Sequence, residues 1–380
     1  MTRLDTIVVG LGGVGAQALR VLARRGARVI GLERFGRCHD RGSSHGETRV
    51  TRHAYFEHPD YVPLLRAATA GFRELEAATG ASLLEACGVA LLGPAGSAVV
   101  RASADAAERW SVPVERLDAA AFRRRFPAFR VHDGDEGLWE PGGGFVRPEA
   151  SIRWALADAE AHGARVQTGA VVQGIEEDAG EVRVHLHGET LRARSLVVCA
   201  GAWTTRLLPS LRPLLRVTRQ VQGWVRPLAP ADAAPAVLPC WLIDRGPLPP
   251  LYGVPVDPLA PGPPLAKIAV HGSDWEVTPD HMHRSVGADE RNGLASLAAH
   301  HVPGLRGPLL AARTCMYTET PDEHFIVGRL PGGPRTVVVA GLSGHGFKLT
   351  PALGRVAAEL CLDGATELPI GFLGPGRFRS

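Results

Sequence analysis

The segment Thr6-Ile-Val-Val-Gly10-Leu-Gly12-Gly-Val-Gly15, near the start of a 380-residue chain, leaves few options for the fold that follows it. A short apolar strand runs into spaced glycines, then a helical stretch, Ala16 to Arg25, then a second apolar run, Ala27 to Leu32, ending at Glu33. Together these form one β-α-β unit. Gly10 permits the tight turn, Gly12 lets a pyrophosphate approach the backbone at the helix N-terminus, and Gly15 lets helix and strand pack closely. Glu33 stands 18 residues beyond Gly15, near the ~20 expected of an acid that hydrogen-bonds a ribose 2'-hydroxyl. G-x-G-x-x-G alone is a weak signal, but the full unit favours an adenine dinucleotide over a decorative glycine loop. An acid at this strand end favours FAD or NAD over NADP.

A second glycine turn lies near the other end. Thr336-Val-Val-Val-Ala340 runs into Gly341-Leu-Ser-Gly344-His-Gly346-Phe-Lys348 and an alanine-rich helix, so a second set of backbone N–H groups faces a ligand. Between the two ends the pattern predicts a helix from Tyr61 to Thr79, short strands at Gly88–Leu92 and Gly137–Trp139, and a helix from Pro148 to His162. A hairpin-like stretch, Ala170 to Leu186, precedes a buried strand, Ser195 to Ala200, that stops at Gly201-Ala-Trp203. The proline-rich region Arg226 to Pro264 reads as loops joining edge strands, because Trp241–Asp244 and Leu251–Val254 interrupt it. Dinucleotide elements at both ends enclosing a less regular middle point to a discontinuous cofactor domain with a substrate domain inserted twice.

Composition removes several classes. With 42 basic and 39 acidic residues, scattered in sign, the chain has no footprint for nucleic acid. Cys38, Cys87, Cys199, Cys240, Cys315 and Cys361 lack metal or disulfide-framework spacing, so reduced thiols are expected. No apolar run approaches the ~20 residues that span a bilayer, so the expectation is a cytoplasmic protein with no membrane partner. His281-Met-His283 has no further ligand spacing near it, so no metal is expected. Forty of the 42 basic residues are arginine, leaving only Lys267 and Lys348. Both become site candidates, because an ammonium does what a planar guanidinium cannot.

The segment Gly42-Ser-Ser-His45-Gly-Glu-Thr-Arg49-Val-Thr-Arg52 places two arginines three apart, as on one helical face, after a turn of small residues. With the glycine turns, Ala200-Gly-Ala-Trp203, Leu251-Tyr252-Gly253, Ala266-Lys267-Ile268 with His271, Cys315-Met-Tyr-Thr318 with Asp322-Glu-His-Phe325, and Gly344-His-Gly-Phe-Lys348, it forms an ordered set. By this set the chain resembles, over essentially its whole length, the monomeric sarcosine oxidase and N-methyltryptophan oxidase family of flavoprotein amine oxidases, within the D-amino-acid-oxidase-like superfamily. The fold class then expected is α/β (α+β mixed): a Rossmann-type FAD-binding domain, discontinuous over 1–85, 146–215 and 318–380, and a substrate domain over 86–145 and 216–317 built on a mostly antiparallel sheet.

The resemblance implies roles for individual residues. Cys315 matches the cysteine that links flavin through an 8α thioether, an attachment that needs a nucleophilic thiolate; without its motif it would read as an ordinary buried core cysteine. Lys267 matches an oxygen-activating lysine, whose cation would sit beside charge developing on dioxygen. Arg52 and Lys348 match a pair that holds the substrate carboxylate. Arg49 and His45 match groups beside the flavin ring, where positive charge favours the reduced cofactor, and Tyr252 and His271 match pocket-lining groups. Gly10, Gly12, Gly15, Glu33, Arg34, Ser44, Val172, Ala200, Gly201, Trp203, Met316, Gly344, Gly346 and Phe347 are expected around the cofactor, together with His45, Arg49, Cys315 and Lys348. The implied reaction is FAD-dependent oxidation of a secondary-amine amino acid, with hydride passing from the carbon next to nitrogen to flavin and dioxygen yielding hydrogen peroxide, by a monomeric enzyme. The alternatives are a tailoring oxidase of a larger or cyclic precursor and a flavin dehydrogenase with a non-oxygen acceptor. A non-catalytic dinucleotide-binding module would have no use for Cys315, Lys267, Arg52 and Lys348 together.

Overall fold

A computed structural model describes residues 3–378. Its first sheet starts from the strand Leu4–Val9, flanked in parallel by Val29–Leu32 and Glu189–Val198. Arg165–Gln167 extends the sheet beyond Val29–Leu32, and Gly333–Ala340 pairs in parallel with the second half of Glu189–Val198. Such strands must be apolar on both faces. Ile7, Val9, Ile30, Leu32, Leu196, Val198 and Val338 point to one core, whereas Val8, Val29, Val197, Val337 and Val339 point to another, beneath the helices Gly13–Arg24, Pro148–Ala161 and Thr350–Leu362. The predicted hairpin is a three-strand meander, since Gly174–Glu177 pairs with Val182–Leu186, which returns along the first half of Glu189–Val198.

The second sheet has eight strands in the order Leu309–Glu319, Arg216–Val225, Ala266–Val270, Leu251–Val254, Cys240–Ile243, Val89–Pro94, Asp135–Glu140, Glu115–Asp118. Every pairing is antiparallel except that of Cys240–Ile243 with Val89–Pro94. Cys240–Ile243 and Leu251–Val254 are therefore inner strands, not the edge strands expected from the surrounding prolines. The prolines lie in the connections, so no ladder N–H is lost. Alternation gives this sheet two faces. Ala90, Leu92, Trp241, Ile243, Ala266 and Ile268 pack into a core with Phe122 and Leu294, while Val89, Leu91, Leu242, Tyr252, Ala269, Gln220 and Gln222 line a cavity facing the first sheet.

A third, small sheet joins Arg49–Thr51, Gly144–Val146 and Leu84–Glu85. Arg49 is thus on a strand, not on the helical face expected from the three-residue spacing, and Arg52 follows the strand's end. The connection that brings it to the cavity begins with small residues, and positive φ at Gly46 (97°) and Glu47 (69°) turns the chain sharply before the strand.

The first helix meets the first strand at a glycine pair. A Cβ on Gly15 would sit 1.8 Å from the Gly10 carbonyl oxygen, and one on Gly10 (φ 87°) would sit 2.5 Å from the Cys199 oxygen. Because the obstacle is backbone, no side-chain rotation relieves it. Gly15→Ala is expected to lower unfolding free energy by roughly 3 kcal/mol, the upper part of the usual overpacking cost, read as an earlier urea midpoint at unchanged slope.

Candidate active site

One continuous cavity of about 310 Å³ runs between the two large sheets. Its walls include Gly10, Gly12, Glu33, Arg34, Ser44, Arg49, Arg52, Val172, Ala200, Gly201, Trp203, Tyr252, His271, Met316, Gly344, Gly346, Phe347 and Lys348. Gly15 lies behind the wall as a packing residue. His45, Lys267 and Cys315 are buried just outside it, each beside a lining residue.

At one end the helix Gly13–Arg24 begins at Gly12 with no side-chain cap, leaving N–H groups and a partial positive charge for an anion. Glu33 accepts hydrogen bonds from the Leu11 and Phe35 N–H groups, both at 2.9 Å, and its Oε1 lies 3.2 Å from His39 Nε2. Burial works to raise its pKa, but His39 and the two N–H groups outweigh it and hold the carboxyl below its usual value. Oε2 keeps an acceptor position free for a hydroxyl. Beyond Glu33, Asp280 reaches across from the second sheet's side to accept from Arg34 Nη1 and Trp203 Nε1, both at 3.0 Å, and pairs with Arg206.

In the middle, Lys267 Nζ donates to the Gly46 and Thr48 carbonyl oxygens, both at 2.8 Å. Burial, then the charge of Arg49, pulls its pKa well down, against the opposing pull of Cys315, Glu149 and Glu47. Arg49 donates to Ser43 O and Thr48 O, and its Nη2 lies 3.8 Å from Cys315 Sγ. Cys315 sits opposite Gln220 in the ladder and so shares its cavity-facing side. His45 is pushed down to about 3 by burial and by Arg49 and Lys267, so it is neutral near pH 7. The positive charge expected of Arg49 and His45 together is therefore carried by Arg49.

At the far end Arg52 stacks over Tyr55 and Phe56, donates to Ala54 O at 2.6 Å, and pairs with Glu57 at 2.7 Å. Burial raises the Glu57 pKa, but Arg52, His345, Lys348 and His271 overcome it and hold it at about 2. Lys348 donates to His345 O at 3.1 Å and approaches Tyr55 Oη at 3.5 Å. Burial lowers it to about 7, against the pull of Glu57. His271 is lowered by burial to about 4, and its Nδ1 lies 3.3 Å from the Tyr317 hydroxyl.

Two cavity residues, Glu57 and Gln222, were not singled out from sequence, and Tyr317 and Thr318 were quoted only within the Cys315–Thr318 motif, with no role. Glu57 follows Arg52 by five residues. Gln220-Val-Gln222 displays the strand alternation that puts both amides on one face. His281 and His283 are exposed.

A flavin dinucleotide fits these walls on the evidence of unsatisfied groups. Both ring nitrogens of His45, Gln222 Oε1, Thr48 Oγ1 and Thr318 Oγ1 are buried without partners, and buried polar groups need them. Those of His45, Gln222 and Thr48 cluster where Lys267 and Arg49 add donors, while the glycine helix N-terminus and Glu33 offer a diphosphate and ribose site at the other end. Fold and cavity define a dinucleotide-dependent enzyme.

The family model described as FAD dependent oxidoreductase matches residues 5–360, and the chain belongs to this family. It is 40% identical to monomeric sarcosine oxidase of Streptomyces avermitilis, with 98% of this chain and 97% of that protein aligned. N-methyl-L-tryptophan oxidase of Yersinia pestis is 33% identical, with 99% of each covered. Among solved structures, an open form of NikD, described as an unusual amino acid oxidase essential for nikkomycin biosynthesis, superposes with a TM-score of 0.85 at 26% identity, covering 99% of this chain and 98% of that one. No helix among the described residues is long and apolar enough to cross a membrane.

Proposed function

We propose that the chain is an FAD-dependent oxidase of a secondary-amine amino acid, N-methylated or cyclic, that uses dioxygen and forms hydrogen peroxide. The observation that carries this reading is the placement of the chain's two lysines. Lys348 joins Arg52 at one end of the cavity, and Lys267 joins Arg49 and Cys315 beside its middle. The similarity to sarcosine and N-methyltryptophan oxidases supports the substrate class. In this reading 1–85, 146–215 and 318–380 form the FAD-binding domain and 86–145 and 216–317 the substrate domain, with Arg52 and Lys348 reaching the substrate and Lys267 and Cys315 the flavin across that division, and the enzyme acts as a monomer in the cytoplasm.

When bound, FAD supplies the hydride acceptor and hands the electrons to dioxygen. The chain's own residues orient and enclose. Arg52 and Lys348 hold the substrate carboxylate by charge-assisted hydrogen bonds, with Arg52 sharing its guanidinium between Glu57 and the ligand. Near pH 7 the neutral His271 places no cation against the amine, and Tyr252 and Tyr317, whose hydroxyls burial keeps protonated, position it. Phe56, Val89, Leu91 and Leu242 keep water from the reacting carbon. Lys267, fixed by two carbonyls, presents its remaining N–H to charge developing on dioxygen. Cys315, on the cavity-facing side of its strand beside the Arg49 guanidinium, is the attachment point for the flavin. The similarity to NikD favours a second reading, a tailoring oxidase of a larger precursor, within the same chemistry.

The deciding experiment is anaerobic bleaching of the visible flavin band with sarcosine, N-methyltryptophan, proline, pipecolate and primary amino acids of both hands. Bleaching by a secondary amine, reversed by air with peroxide release, is expected. Bleaching by primary amino acids alone overturns the substrate class, and a silent panel moves the reading to a larger precursor. Flavin colour is expected to stay with the polypeptide after acid precipitation and to be released from Cys315→Ala; full release from the unaltered protein overturns the linkage. Lys267→Met is expected to bleach at a near-normal rate but reoxidise in air at least ~100-fold more slowly, the usual scale for losing one preorganised charge donor. Lys348 is charged below about 7 and neutral above. Affinity for an amine-free carboxylate such as propionate should therefore fall as pH rises through that value, and Lys348→Met should flatten the profile, both read by spectral titration.

A further inference from the structure

The six free cysteines occupy unlike surroundings. Burial pushes up the thiols of Cys38, Cys199 and Cys361, the last to about 11. Cys87 differs. It is half-buried, lies outside any strand between Leu84–Glu85 and Val89–Pro94, and its Sγ stands 3.8 Å from Cys240 Sγ. Cys240 opens the buried strand Cys240–Ile243, and its N–H donates to Gly88 O at 3.1 Å, so the two thiol-bearing segments are already tied through their backbones. Hydrogen bonds from the Cys240 side hold the Cys87 thiol below its usual pKa, whereas burial holds that of Cys240 well above. A half-buried residue whose thiolate is favoured, with an enclosed thiol 3.8 Å away, gives an attacking and a resolving sulfur.

We propose that Cys87 and Cys240 form a redox-active pair that hydroperoxide oxidises to a disulfide behind the wall of the active-site cavity. The Cys87 thiolate attacks one peroxide oxygen, the O–O bond breaks, and the departing hydroxide takes up a proton to leave as water. The sulfenic acid so formed is attacked by the Cys240 sulfur, and its hydroxyl leaves as a second water with the Cys240 thiol proton. One peroxide is reduced and two thiols lose two electrons. The enzyme's own product is the nearest source of oxidant, a clause that rests on the oxidase reading above. Rotation of the Cys87 side chain, next to Gly88 with φ 75°, brings the sulfurs from 3.8 Å to the ~2.05 Å of a disulfide. Val89 and Leu91 follow Cys87, and Leu242 follows Cys240, on the cavity wall. The bond therefore staples the surface against which a substrate side chain packs.

The test uses reduced holoenzyme treated with added hydrogen peroxide, alkylated and digested. The expected result is a Cys87–Cys240 cross-linked peptide and an intact-mass loss of about 2 Da, both reversed by dithiothreitol. Cys240→Ser, which keeps a donor beside Cys87 but removes the resolving sulfur, should instead leave Cys87 as a sulfenic acid that dimedone captures, and Cys87→Ser should abolish both products. No cross-link with added peroxide, or a mass loss of about 2 Da that persists in Cys87→Ser, overturns the proposal. A parallel arm supplies an oxidisable amine in air with and without catalase. A cross-link formed by added peroxide but not during turnover upholds the thiol pair and removes the enzyme's own product as oxidant, so the two readings fail separately.

Discussion

The contact between the Gly15 Cα and the Gly10 carbonyl is the constraint on which the rest of the molecule depends. It sets how closely the first helix lies on the first strand, and so where that helix's uncapped N-terminus points. The same helix supports Thr350–Leu362 and Pro148–Ala161. Thr350–Leu362 in turn fixes the end of the glycine turn that carries Lys348. A few tenths of an ångström at one glycine pair are thereby transmitted to both ends of the cavity, because close-packed interiors pass strain on instead of absorbing it.

Burying so many charges in one cavity is tolerable only because each is compensated. Arg52 has Glu57, Lys267 has two carbonyls, and Lys348 has a carbonyl, a hydroxyl and the field of Glu57. Breaking such a set costs more than the set contributes, since the abandoned partner stays desolvated. Glu57 is central here. It holds Arg52 in place in the absence of a carboxylate ligand, and it offsets the burial that would otherwise lower Lys348 further.

Local features were legible in the sequence. Gly10, Gly12, Gly15 and Glu33 act within one β-α-β unit, where spacing alone carries geometry, and the strand at Thr336–Ala340 with its glycine turn is equally local. The joining of Lys267, Arg49 and Cys315 was not, because Lys267 and Cys315 meet only through their separate pairings with Arg216–Val225 and Arg49 reaches them from another sheet, so it could be anticipated only through the ordered set of motifs. Two expectations failed for identifiable reasons. Three-residue spacing between Arg49 and Arg52 resembles a helical face, but pairing with Gly144–Val146 overrides it. Prolines around residues 226–264 suggested sheet edges, but they occupy only the connections. Glu57 escaped notice because an acid's value there comes from the arginine it meets in space.

The Asp280 contacts carry a consequence for how the dinucleotide is enclosed. Arg34, Trp203 and Arg206 line the nucleotide end of the cavity on the first sheet's side, and the carboxylate that gathers them arrives on an irregular segment after the strand Ala266–Val270 of the other sheet. A dinucleotide is thus enclosed by a clasp that spans both halves and closes through ion pairs. Two of the three contacts are ion pairs with part-exposed arginines, so salt screening weakens this enclosure from outside.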